Sequence, residues 1–173
     1  PSGRAHALLA NVVYATITAP GIVSLAPEVA LQSNFANNTA LEDAINNESA
    51  SGSEVGKVIG YASVQFTDQS IEATPYTPGL SGDMTAMNIG ASYRINENFS
   101  FALGASLGDP SGTTTGNTAD FSGSSIVFGG VLQMETKGLY GRAALGIGTT
   151  DMDITRSIDL LSSTRKESGN TTV

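Results

Sequence analysis

The sequence predicts a mainly β chain: an antiparallel barrel of the outer-membrane type, here only in part, preceded by two helices, the second lying in the barrel lumen. Three observations predict it. Stretches of about ten residues alternate large apolar side chains with small ones, the pattern of a strand with one apolar face. The connections between them read alternately as tight turns and long polar loops, as membrane barrels are built. Ahead of the strands lies a polar, Asn-rich helical segment about as long as a bilayer core is thick.

Composition narrows the function. The 173 residues carry 8 Lys plus Arg against 16 Asp plus Glu, a net charge of −8, and only 14% are charged. Soluble domains usually approach a quarter. Phosphate backbones are held by cationic side chains, so no nucleic-acid partner is expected. Without Cys, disulfides, thiolate metal sites and cysteine nucleophiles are excluded, and a single His, His6, rules out a two-histidine metal site. No cofactor is expected. The chain lacks an uninterrupted apolar run of about 18 residues, which argues against a membrane-spanning helix. The most apolar stretch, residues 5–31, is broken by Pro20-Gly21 and again by Pro27.

The first zone, residues 1–20, reads as a helix. Ala5, Leu8, Leu9, Val12, Val13 and Thr16 recur at helical spacing, Ser2 suits an N-cap, and Pro20-Gly21 is expected to stop the helix near Ala19. Its apolar stripe needs a surface to cover, which suggests a helix belonging to a larger upstream domain. The second zone, residues 21–54, holds the Asn-rich segment. Pro27-Glu28 opens a helix over residues 27–47, with Leu31, Phe35, Leu41, Ala44 and Ile45 as sparse apolar points. About 21 residues at ~1.5 Å rise give roughly 30 Å, and so polar a surface suits a pore interior rather than lipid. An exposed linker is the alternative.

The third zone, residues 55–173, reads as strand after strand. "FSFALGASLG" places Phe99, Phe101, Leu103, Ala105 and Leu107 on one face, with Ser100, Ala102, Gly104, Ser106 and Gly108 on the other. "MNIGASYRI" sets Met87, Ile89, Ala91, Tyr93 and Ile95 against Asn88, Gly90, Ser92 and Arg94. "KVIGYASVQF" (Val58, Ala62, Val64, Phe66), "IVFGGVLQME" (Ile126, Phe128, Leu132, Met134) and "LYGRAALGIG" (Leu139, Ala143, Leu145, Ile147) complete five strands. The second face carries Gly, Ala and Ser where a soluble sandwich would carry Lys and Glu, leaving room for a helix. "INENF" and "ETKGL" are tight turns; "TDQSIEATPYTPGLSGD" and "GDPSGTTTGNTADFSG" read as long loops. Tyr93 and Phe99 beside a short turn mark an aromatic girdle. Five strands fall short of the bacterial minimum of about eight. "TRKESGNTTV" reads as a loop entering a further strand, so the chain is expected to be truncated at both ends.

Family resemblance sharpens this. Pro1, Ser2, Ala5 and His6 in "PSGRAHALLANVVYATITAP" resemble the stretch that follows the D-x-x-H-P element of GDSL (SGNH-type) esterases and runs into the domain's last helix. The "GASYRINENFSFALGASLG" hairpin resembles the G-x-x-Y-R strand pair of autotransporter translocator domains. The chain as a whole is similar to GDSL autotransporter esterases, in which a linker leads from the passenger's final helix into a twelve-stranded barrel. The resemblance implies an outer-membrane translocator and anchor for a surface-displayed serine ester hydrolase of the esterase or lipase kind, secreted by the type V route. Its implied partners are outer-membrane lipid, the upstream esterase domain and, during insertion, the barrel-assembly machinery.

No catalytic residue is assigned to this chain. The GDSL serine block, the oxyanion Gly and Asn and the D-x-x-H pair do not occur in it. Acyl transfer needs a base in reach of its nucleophile, and His6 has no matched Ser and Asp. Asp151 and Asp153 share one strand face, which suits a cation site or, more simply, a solvated strand extension. Arg94 and Arg142, on the small-residue face, are expected to pair with Glu42, Asp43 or Glu48. "GLSGD" and "GTTTGNT" do not run from strand into helix as phosphate loops do. Two other functions fit the pattern: a non-enzymatic porin or adhesin barrel, and a soluble all-β binding domain.

Overall fold

Apolar residues at helical spacing and a run of good helix formers make Ser2–Val23 a helix, α1. The computed structural model describes residues 2–50, 54–75, 77–116, 118–159 and 164–173. Pro20 does not end α1 as expected. It removes only the bond its own nitrogen would give to Thr16, and helical bonding resumes beyond the ring, with the Ser24 N–H donating to the Pro20 carbonyl at 3.0 Å. The turn tightens at Leu25, whose N–H bonds back to Ile22 at 3.1 Å, and the Leu25 carbonyl then accepts from Val29 to start α2, Ala26–Ala50. Glu28 in the first turn of α2 complements the positive end of the helix dipole. The stretch Gly3–Glu48 also has enough mean hydropathy, 1.6 over its best window, to cross a membrane by length and composition. Averaged hydropathy tolerates the scattered polar residues and prolines that interrupt any single apolar run.

The remainder is one antiparallel sheet in the order β1-β2-β3-β4-β5-β6, every strand joined to its sequence neighbour. The strands are β1 (Val58–Ile71), β2 (Leu80–Arg94), β3 (Phe99–Thr114), β4 (Ala119–Thr136), β5 (Leu139–Asp159) and β6 (Thr164–Thr172). The mainly β, antiparallel reading holds, with two corrections. "TRKESGNTT" is not a loop but strand β6, paired with β5 from Asp151↔Thr172 to Asp159↔Thr164. The two long loops are mostly strand as well: β1 reaches Ile71, β2 starts at Leu80, β3 runs to Thr114 and β4 begins at Ala119. Their Ser and Asp residues face outward on a ladder, where water can solvate them, and the glycines between them face inward, so a polar stretch need not leave the sheet.

The short turns are as the sequence reads. In the β2–β3 turn the Asn96 side-chain oxygen accepts from the N–H groups of Asn98 and Phe99, at 2.8 and 2.9 Å. In the β4–β5 turn Gly138 has φ 91, a conformation that a side chain would resist. Helix α2 touches β1 through β5. Strands sit ~4.8 Å apart, so one helix about 10 Å wide meets five of them only if the sheet curls around it. The face against α2 is therefore the inner face.

Candidate functional site

At the inner wall, residues of five strands converge on the helix it holds. Val29, Ala30, Ser33, Ala36, Asn37, Ala40, Leu41, Ala44, Ile45 and Glu48 are all buried, and they recur every three or four residues down α2. This stripe faces the sheet. Its Ala and Ser residues bring the helix backbone close to the wall, and Leu41 and Ile45 anchor it against Ala102, Val131 and Tyr61. Of the sparse apolar points in the sequence, Leu41, Ala44 and Ile45 lie in the stripe. Leu31 and Phe35 do not; they are 45% and 66% exposed on the opposite face.

The wall is shaped to receive the helix by glycines in a single register row. Tyr61 pairs with Gly90, Gly90 with Gly104, Gly104 with Gly129 and Gly129 with Gly146. The Tyr61 ring lies across the first two: a methyl at Gly90 would stand 2.6 Å from its hydroxyl, and one at Gly104 would collide with it. Under Gly129 sit Leu41 and the Asn37 amide, and under Gly146 the Asn34 side chain. The row thus holds an aromatic ring and a helix at one height on the barrel wall.

Polar contacts set the helix's rotation. Asn37 donates to the Val127 carbonyl at 3.2 Å, Ser33 to the Met84 sulfur at 3.4 Å, and Gln69 of β1 to the Glu28 carbonyl at 3.4 Å. Arg142 meets several partners at once. It forms an ion pair with Glu42 at 3.0 Å, donates to Asn46 at 3.0 Å and to Gln133 at 2.6 Å, and stacks 5.6 Å over the Tyr140 ring. Of the pairings expected for the two inner arginines, the structure brings together Arg142 and Glu42. Arg94 also donates to the Glu97 carbonyl beside its own turn, at 3.5 Å. Among the described residues, Gln32, Gln65, Asn88 and Ser106 bury polar atoms that no protein group meets.

Above the glycine row the wall turns apolar, a feature the sequence reading missed. Ile22, Leu25, Ala26 and Val29 at the helix junction pack with Leu80, Ala119, Phe121 and Met152, flanked by Ile71 and Ile154. The signal was present in "DMDIT", where Met152 and Ile154 alternate with two aspartates. Those aspartates, Asp151 and Asp153, are exposed, and accept from Thr172 at 2.6 Å and Asn170 at 3.2 Å across the β5–β6 ladder. They serve the strand extension. His6 is exposed on α1, and the described residues bring no serine–carboxylate pair to it.

The outer face carries the complementary pattern. Val64, Met87, Leu107 and Ile126 form one register row, and Tyr93, Phe101 and Leu132 another below it, the first two rings 5.6 Å apart. Leu103, Phe128, Leu145 and Ile147 between these levels are 58–83% exposed. A continuous exposed apolar belt of this size marks a surface that is not covered by water. No curated protein and no solved structure matches the chain. The family model described as "Autotransporter beta-domain" matches residues 60–173, well over half of the chain and all but the first two residues of the sheet, so the chain belongs to the autotransporter β-domain family, the outer-membrane translocators of bacteria.

Proposed function

We propose that this chain anchors and translocates a passenger, with α2 lying in the lumen of the barrel whose first strands are β1–β6, and residues 1–20 forming the end of a GDSL-type esterase passenger. One observation carries the translocator reading: a single sheet presents an apolar belt outward and small residues inward, and a polar helix fills the inward side. Lipid requires the first, and a chain crossing through a protein-lined path requires the second. The esterase reading rests on the resemblance of Pro1, Ser2, Ala5 and His6 to the family's final helix, and on the exposed apolar side chains of α1, among them Leu9 at 61% and Ile17 at 71%, which suit a domain packed upon them. The enzyme chemistry belongs to that upstream domain, and this chain supplies location.

Hydrolysis of a short-chain p-nitrophenyl ester tests both parts. Intact cells displaying the full-length protein are expected to hydrolyse it, while residues 1–173 folded alone give no turnover. Turnover by the isolated chain that disappears in His6→Ala would overturn the division of labour. Surface display without any ester hydrolysis would leave the translocator and remove the esterase.

A further inference from the structure

Helix α1 leaves the mouth of the sheet with space on both sides of it. A cleft of about 900 Å³ separates it from the β1–β2 connection, walled by Tyr14, Ile17, Pro75 and Pro78. A second, of about 370 Å³, separates it from β6, walled by Val23, Ile154 and Gly169. Arg156 of β5 lines both and stands between them like a post. From there its Nη1 donates to the carbonyl of Ala15 at 3.0 Å. That carbonyl sits one residue before Thr16, the residue whose helical partner Pro20 deletes. Prolines loosen the turn before them and let freed or tilted carbonyls take outside donors. The acid opposite Arg156 in the β5–β6 register, Glu167, pairs with Arg165 at 2.7 Å, while Arg156 reaches the helix.

We propose that Pro20 and Arg156 form a hinge and latch: the helix can swing about Pro20 into either cleft, and Arg156 holds one direction by gripping the turn that the proline loosens. The apolar packing of Ile22, Leu25 and Val29 below the proline keeps the lower part stationary. The direction of α1 sets where anything attached to its outer end stands relative to the membrane. The latch follows from the clefts and the bond at the mouth, and does not depend on what the passenger is.

The chain has no native Cys, so a spin-label pair at His6→Cys and Ser124→Cys reports the angle of α1 to the sheet by electron–electron distance measurement in lipid vesicles. The latched protein is expected to give one narrow distance distribution. Arg156→Ala should at least double its width, and Arg156→Lys, which keeps a donor, should restore most of the narrowing. Pro20→Ala with Arg156 intact should move the mean distance without broadening it. Arg156 lies above the apolar belt, so its replacement leaves the membrane-facing part of the sheet unaltered. An Arg156→Ala distribution as narrow as the parent's, or an Arg156→Lys distribution as broad as that of Arg156→Ala, would overturn the latch. An unchanged mean in Pro20→Ala would overturn the hinge.

Discussion

Two consecutive stretches of β5 follow opposite rules. In the first, the outward residues Leu145 and Ile147 are apolar and 83% and 78% exposed, while the inward positions are Ala144 and Gly146. A few residues on, the outward positions are Asp151 and Asp153, and the apolar residue, Met152, is inward and fully buried. β4 and β2 repeat the inversion: Phe128 outward and Phe121 inward on β4, Ile89 outward and Leu80 inward on β2. The backbone does not change, since the same ladder runs through both stretches. What changes is the medium outside. Against hydrocarbon the outer face must be apolar and the inner face small; against water the outer face can be polar, and the sheet must find its hydrophobic packing on the inside, around the Ile22–Val29 junction. Where the rule flips is where the membrane ends.

The largest expected effect comes from the inward side of the upper stretch. Met152→Ala should destabilise the fold by about 2–5 kcal/mol, since it empties a packed site, measured by urea titration in lipid vesicles with tyrosine fluorescence. The outward side gives the sharpest contrast within one strand. Leu103→Arg should cost about 2–4 kcal/mol, against about 0–1 for Ser111→Arg on the same face of β3 above the belt. Equal costs would mean that the two stretches meet the same medium. On the inner wall, Gly104→Val forces Tyr61 off the glycine row and should cost about 1–3 kcal/mol. Removing the ring with Tyr61→Ala should relieve the part of that cost due to the ring, leaving the close approach to the Ile89 carbonyl, so the double variant is predicted to be non-additive. The smallest effect is Arg142→Ala, about 1 kcal/mol or less, because the Glu42 carboxylate it pairs with is 42% exposed and screened by water.

The lower stretch was legible in the sequence for a physical reason. Lipid disfavours polar side chains outward and the close approach of α2 favours small ones inward, so Phe101, Leu103 and Leu107 alternate with Ala102, Gly104 and Ser106 under two constraints at once. The upper stretch has one constraint, and its outward Ser and Asp residues, interleaved with inward Gly, have the composition of loops, which hid the extensions of β1 through β4. Strand β6 was hidden more completely, because "TRKESGNTT" has no apolar residue to alternate, and its identity comes from pairing with β5. The helix and its tie to Arg142 were readable from length and charge. The glycine row was not, because it exists only once four registers are known. Pro20 misled because a proline ends a helix only when nothing on its far side holds the next turn, and here Ile22 and Leu25 are buried in the junction.

One uninterrupted sheet changes its outward medium while keeping α2 on its inner face. A spin-label accessibility scan along β4, from Asp120 to Leu132, tests it most directly. Collision with oxygen should dominate at Ile126, Phe128 and Leu132, and collision with a water-soluble nickel chelate at Asp120, Ser122 and Ser124. Phe121, Val127 and Val131 should be shielded from both. One reagent dominating at all the outward positions, or ready access to Val127 and Val131, would contradict it.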